Sequence, residues 1–235
     1  MLSIVIPTYN EEKHIERLLL NLKPQLRGED EIVIVDSHSK DRTVEIAKKH
    51  GARVVLRPKQ GNGIARTEGA KAAKNDIVVF VDADCITADD FAHRIRKHFS
   101  EPHIIAAGGL DLYDADSSLG KFTYDTYSRI VFYFARLMHF ATGKYWFASN
   151  NSAYRKKIFL DAGGYDSVIC EDTDLTRRLP PSRHVVYDSM MWVELSDRRF
   201  KSDGFLRTLG LWTKSNIAAW TGNGQDSSKY KMDQY

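Results

Sequence analysis

Four short apolar runs constrain this chain more than any other feature: Ile4-Val5-Ile6, Ile32-Val33-Ile34-Val35, Val54-Val55-Leu56 and Ile77-Val78-Val79-Phe80-Val81. A strand that alternates apolar and polar side chains can face water on one side, whereas one that is apolar throughout is buried on both faces. Helical patterns lie between the runs. Ile15, Leu18, Leu19 and Leu22 repeat at helical spacing, with Asn10 placed to cap and Glu11 and Glu12 where a helix dipole favours acids. A second helix is expected over residues 41–50, stopping at Gly51, and an alanine-rich third over 64–73. A fourth follows Thr87, read as its cap, and carries Phe91, Ile95 and Phe99 on one face. This alternation predicts an α/β fold with a mostly parallel, doubly wound sheet flanked by helices.

In such sheets ligands bind at the carboxyl ends of the strands. The polar clusters fall there: Pro7-Thr8-Tyr9-Asn10-Glu11 after the first run, Asp36-Ser37-His38-Ser39 after the second, Asp82-Ala83-Asp84 after the fourth. Beyond about Gly108 the alternation is lost. An aromatic-rich helical segment over 119–141 is followed by Asn150-Asn151-Ser152, a helix over 155–162 and the turn Gly163-Gly164-Tyr165-Asp166. Glu171-Asp172 then opens a further helix, two short strands are expected at 185–187 and 191–195, and a final helix at 204–220. A chain of 235 residues with 43% hydrophobic content can bury one full core. One domain in two halves, 1–107 and 108–221, with a polar tail at 222–235, is therefore expected.

Charge narrows the partners. With 34 basic against 31 acidic side chains, the surface lacks the one-signed field of a nucleic-acid binder. Cys85 and Cys170 are too few for a disulfide framework. Pro7 interrupts the first apolar run, so no secretory leader is read, and a cytoplasmic location is expected.

Several residues can carry chemistry. Two aspartates separated by one small residue, directly after a buried strand, can offer oxygens to a hard divalent cation, Mn2+ or Mg2+, while a diphosphate supplies the rest. Asp82 and Asp84 have that arrangement, with helix capping as the competing role. Glu171-Asp172 can supply a general base or form a solvated helix start. Asp36 can organise a turn or accept from a base or ribose. The loop Gly61-Asn62-Gly63-Ile64-Ala65-Arg66 suits close approach of backbone to phosphate or sugar, and Arg198 and Arg199 suit a leaving diphosphate or a solvated face.

Taken together, in this order, these segments resemble the family-two inverting glycosyltransferases of the GT-A fold. The carriers span roughly residues 3–199: the stretch Ser3-Ile4-Val5-Ile6-Pro7-Thr8-Tyr9-Asn10-Glu11-Glu12, Asp36 with Asp41-Arg42-Thr43, Asp82-Ala83-Asp84, Asn150-Asn151-Ser152, and Gly163-Gly164-Tyr165-Asp166 leading to Glu171-Asp172. The resemblance implies that Pro7, Thr8, Tyr9, Glu11 and Asp36 hold the nucleobase and ribose of a uridine or guanosine diphosphate sugar. It implies that Asp82, Ala83 and Asp84 meet the metal-diphosphate, with Asp84 the more direct metal ligand, and that Asp172 beside Glu171 is the catalytic base. Arg66, Arg198 and Arg199 join the donor-binding set. Ser37 stands where many relatives carry a second aspartate, and Ile86 stands where dolichyl-phosphate mannose synthases often carry Gln. A sugar-nucleotide pyrophosphorylase would need a longer glycine-rich loop after the first strand, and a dinucleotide oxidoreductase G-x-G-x-x-G there. A non-catalytic nucleotide-sugar-binding scaffold is the remaining rival.

The acceptor is expected to be a glycan or a lipid-linked hydroxyl. Residues 130–140 are apolar around most of the helix circumference, and the final helix adds Leu206, Leu209, Trp212, Ile217 and Trp220, with Arg207 and Lys214 beside them. Such helices pack into a core, pack against a second subunit in a homo-oligomer, or lie at the inner face of the cell membrane.

Overall fold

The computed structural model describes residues 1–223, so all but the first two residues of the expected polar tail lie outside the described residues. The four apolar runs form β1 (Leu2–Thr8), β2 (Glu31–Asp36), β3 (Arg53–Leu56) and β4 (Ile77–Val81). They pair in parallel in the order β3-β2-β1-β4. Both faces of this sheet are covered. Ile4 and Ile6 of β1 join Leu18 and Leu22 of α1 (Ile15–Leu22) and Phe91 and Ile95 of α4 (Phe91–Phe99) in one core. Val5, pointing the other way, joins Ala65 and Ala70 of α3 (Asn62–Ala72) and Phe80 of β4 in a second core. The remaining connection, α2 (Thr43–Lys49), links β2 to β3.

Two helix starts depart from the sequence reading. Asn10 does not cap α1: its φ is 55°, its side-chain oxygen accepts from the Lys40 amide at 2.8 Å, and its own amide donates to Ser39 Oγ at 2.8 Å. Residues 11–14 form a turn closed by the His14 and Ile15 amides on the Glu11 carbonyl, which delays the helix to Ile15. Thr87 does not cap α4. It lies in β5 (Ile86–Thr87), where its hydroxyl donates to Asn21 Oδ1 at 2.8 Å.

Past β4 the sheet continues with strands absent from the sequence reading. β6 (Ala106–Asp114) and β7 (Asn151–Arg155) are rich in glycine, alanine and polar residues and so lack an apolar run. β7 runs antiparallel to both β4 and β6, giving an eight-stranded order β3-β2-β1-β4-β7-β6-β8-β5 among the described residues. The two strands expected at 185–187 and 191–195 are one, β8 (Val185–Ser196), parallel to β6 with a register shift between Gly109 and Asp111. At that shift a Cβ on Gly109 would collide with the Met191 carbonyl, so the irregularity needs glycine. The helices of this half are α5 (Ser118–Thr142), α6 (Lys156–Asp161), α7 (Glu171–Arg178), α8 (Arg198–Asp203) and α9 (Phe205–Trp220). The single final helix expected from residue 204 is thus preceded by α8, with Gly204 at φ 81° between the two.

Candidate active site

A cleft of about 430 Å³ opens at the carboxyl ends of β1 and β4 and is closed on its far side by α5, α7 and α8. The sheet delivers Asp82-Ala83-Asp84 to it immediately after β4, and α7 delivers Glu171 and Asp172 from its first turn. Cys170, at φ 61°, turns the chain into α7. The first turn of α3 comes in beneath: a Cβ on Gly63 would strike the Asp166 carbonyl, so glycine lets this turn lie against the segment leading to α7.

Two guanidinium groups tie these acids together. Arg66, 2% exposed, projects from α3 and pairs with Asp82 through one nitrogen and with Glu171 through the other, the latter at 2.8 Å. Burial alone would lower its pKa, and the charges of Asp82 and Glu171 outweigh that and raise it. Ser149 Oγ also donates to Glu171, at 2.9 Å. Arg198, from α8, pairs with Asp84 at 3.2 Å and Glu11 at 3.0 Å. Burial pushes the Asp84 and Glu11 carboxyls up against the opposing pull of Arg198. Asp172 is raised to about 7, first by burial and then by the Glu171 charge, with the Thr173 amide and Arg66 opposing. A carboxyl poised there can accept a proton near neutral pH.

The donor set suits a hard divalent ion that shares its coordination with a diphosphate. Among the described residues no cluster of three or more acids, histidines or cysteines forms a full protein cage. Two carboxylates on one tight turn are what a magnesium- or manganese-type site uses when phosphate oxygens complete the shell. Glu11 meets Arg198 through Oε1, and its Oε2, buried without a hydrogen-bond partner, adds a further carboxylate oxygen beside Asp84.

Of the residues read from sequence as ligand-binding, Pro7, Tyr9, Glu11, Arg66, Asp82, Ala83, Asp84, Glu171, Asp172, Arg198 and Arg199 all line the cleft. Thr8 and Asp36 do not line it. Asp36 is fully buried and accepts from Thr8 Oγ1 at 2.9 Å and from the Ser39 amide at 2.9 Å. They brace the loops that carry Tyr9 and Ser37, and Ser37 is the neighbour that lines the cleft.

The sequence reading missed Asp111, in β6 just past the register shift. Burial raises it to about 7, opposed by Asn150 and Asn151 and reinforced by the Asp82 charge. Its weak signal was the Gly108-Gly109 pair ahead of it, which marks a backbone irregularity beside a ligand edge. The aromatic lining joins Tyr127 and Phe132 of α5 and the nearby Trp146 with Tyr187 of β8.

Comparisons with known proteins bear on the family and the fold. The family model described as Glycosyl transferase family 2 matches residues 3–163. The poly(ribitol-phosphate) beta-N-acetylglucosaminyltransferase TarS of Staphylococcus aureus is 34% identical over 133 residues, covering 52% of this chain and 23% of TarS. The O-antigen chain rhamnosyltransferase RfbN of Salmonella typhimurium is 27% identical over 190 residues, covering 76% of this chain and 60% of RfbN. The chain thus spans less than two thirds of either relative. Among solved structures, glucosyl-3-phosphoglycerate synthase from Mycobacterium tuberculosis, in complex with Mn2+ and UDP-glucose, superposes with a TM-score of 0.65 at 22% identity. That match covers 95% of this chain and 78% of the synthase, and it shows a shared GT-A fold.

Proposed function

Because the chain belongs to glycosyl transferase family 2, we propose that it moves a sugar from a uridine or guanosine diphosphate donor to a hydroxyl acceptor, inverting the anomeric carbon. The observation that carries this reading is the Arg66 bridge. It joins Asp82, at the edge of β4, to Glu171, the neighbour of Asp172, so a strand-edge acid pair and a candidate base share one cleft. Mn2+ or Mg2+, held by Asp84 and Asp82, would supply positive charge against the leaving diphosphate. Manganese accompanies UDP-glucose in the mycobacterial synthase, which supports the same choice here.

In the reaction the acceptor oxygen attacks the anomeric carbon as the bond from that carbon to the diphosphate oxygen breaks. Asp172 takes the acceptor proton, and the nucleoside diphosphate leaves with the electron pair of the broken bond. One displacement inverts the configuration, and no covalent enzyme intermediate is needed. Residues 1–107 bind the nucleotide sugar, with Pro7, Tyr9 and Glu11 at the nucleoside end, and Arg198 and Arg199 of the second half reach toward the diphosphate. Residues 108–221 bring the acceptor and the base. Trp146, Phe132 and Tyr187 offer the aromatic faces on which a glycan or the first unit of a lipid-linked acceptor stacks.

The test is incubation with Mn2+ and a panel of uridine and guanosine diphosphate sugars, following nucleoside diphosphate release and, where transfer occurs, the anomeric configuration by NMR. Release with inversion, lost in Asp172→Asn while donor binding persists, is the expected result. Donor binding with no turnover under any acceptor would favour the scaffold reading, and retention of configuration would overturn the single displacement.

A further inference from the structure

The two helices beside the cleft present unpartnered apolar faces with an unusual charge arrangement. Of the 25 residues of α5, Ser128 and Phe132 are buried; Phe134 and Leu137 are each 61% exposed and Phe140 is 76% exposed. At the helical repeat Leu119, Phe122, Ile130, Phe134, Leu137 and Phe140 fall within an arc of roughly 120°. Val131 and Ala135, which line the cleft, lie on the opposite side of the same helix. Arg129 and Arg136 follow one margin of the apolar arc and are exposed. α9 repeats the design: Leu206, Ile217 and Trp220 form an exposed stripe, with exposed Arg207 and Lys214 along one margin. The helices meet through Tyr127, whose ring packs on Phe205 and Trp212.

The charge decides what covers this surface. The single carboxylate on α5, Asp125, is already engaged by the Tyr113 amide and by Lys121, and α9 carries no acid. A second copy docked face to face would bring cationic margins together. An anionic bilayer accepts apolar side chains at the acyl boundary and cationic margins at the headgroups. No helix among the described residues is long and apolar enough to cross a membrane, so these lie along the surface.

We infer that the outer faces of α5 and α9 form an interfacial docking surface for an anionic lipid bilayer. The surface stands independently of the reaction. Its consequence, that an acceptor carried on a lipid reaches the cleft over the α5 wall, rests on the transferase reading.

The experiment is flotation of the 235-residue chain with phosphatidylcholine vesicles containing phosphatidylglycerol, against phosphatidylcholine alone, at rising salt. Binding to the anionic vesicles that falls with salt is expected, because the headgroup attraction is screened within about 8 Å at physiological ionic strength. Phe134→Ser with Leu137→Ser should abolish flotation while circular dichroism stays unchanged. Arg129→Gln with Arg136→Gln should weaken it by about fivefold per cation. Lys48→Gln with Lys97→Gln, on α2 and α4, should leave it intact. Absence of flotation at low salt, equal loss in the Lys48/Lys97 control, or a stable dimer by light scattering that Phe134→Ser with Leu137→Ser dissociates would each overturn the inference. Flotation is read without donor or acceptor, so its failure is distinct from failure of the transferase reading.

Discussion

Arg66→Met tests whether the cleft is held together by charge. Methionine fills much of the arginine stem's volume but leaves Asp82 and Glu171 without their shared cation. Breaking a buried pair by removing one partner costs about 3–5 kcal/mol, because the remaining charge stays in a poorly solvated place. Here the partners are not sealed off: the Asp82 side chain is 27% exposed, the Glu171 side chain 17%, and Glu171 keeps the Ser149 hydroxyl. The lower end, about 3 kcal/mol, is therefore expected, equivalent to a fall in Tm of roughly 6–12 °C for a chain of this size. Urea unfolding followed by far-UV circular dichroism reads the loss. Adding Glu171→Gln to Arg66→Met removes one orphaned charge and should return roughly 1–2 kcal/mol, a coupling that simple loss of packing would not produce. A variant within about 0.5 kcal/mol of the parent, or a double variant no more stable than the single, would refute the charge argument.

Other perturbations follow from the same site. Asp172, with a folded pKa raised from 3.8 to about 7, binds a proton more tightly folded than unfolded. Its contribution is greatest below pH 3.8 and is lost as pH rises through about 7; Asp172→Asn should flatten that decline in urea midpoints measured across the window. Arg198→Gln should tighten Mn2+ binding in the absence of nucleotide by roughly tenfold, since a fixed cation beside a divalent ion is removed, while weakening donor binding; electron paramagnetic resonance of free Mn2+ measures the first. Cys85 is buried and its thiol pKa is raised, as is that of Cys170, so iodoacetamide at neutral pH should modify neither quickly, with Cys85 reacting only on unfolding; rapid modification in the native state would contradict the burial.

How far the sequence reads depends on how each strand is buried. β1, β2 and β4 are covered on both faces, so their central positions are apolar in succession and the run itself is the signal. β6 and β7 are central in the sheet yet invisible, because Gly108 packs under Phe147, Gly109 under the β8 backbone, and Asn151 spends its amide on the Leu110 and Met191 carbonyls. Their burial is satisfied by close backbone approach and side-chain hydrogen bonds, neither of which leaves an apolar pattern. The donor-side residues were legible because they follow legible strands: Asp82-Ala83-Asp84 ends β4, and Pro7 and Tyr9 lie at the end of β1. Asp36 shows the limit. A strand-end aspartate can face the ligand or brace its own turn, and the choice depends on Thr8 and Ser39, whose positions the sequence does not reveal.

The same dependence explains why Arg66 and Arg198 were seen as ligand residues but not as struts. Each arginine reaches an acid more than a hundred positions away along the chain: Arg66 to Glu171, Arg198 to Asp84 and Glu11. Such pairs set the cleft's shape before any ligand arrives, and they set its electrostatics too. Asp82, Asp84, Glu11, Glu171 and Asp172 would repel one another if left alone, and two guanidinium groups make their convergence tolerable. The two are not equivalent. Arg66 is buried beneath the acids and cannot leave without breaking the link between α3 and α7, whereas the Arg198 side chain is 33% exposed on a short helix bounded by Gly204. A cation arriving at Asp84 therefore competes with Arg198 and not with Arg66. This is why Arg66→Met should be read in stability and Arg198→Gln in metal affinity; a shared phenotype would mean that the two arginines do one job.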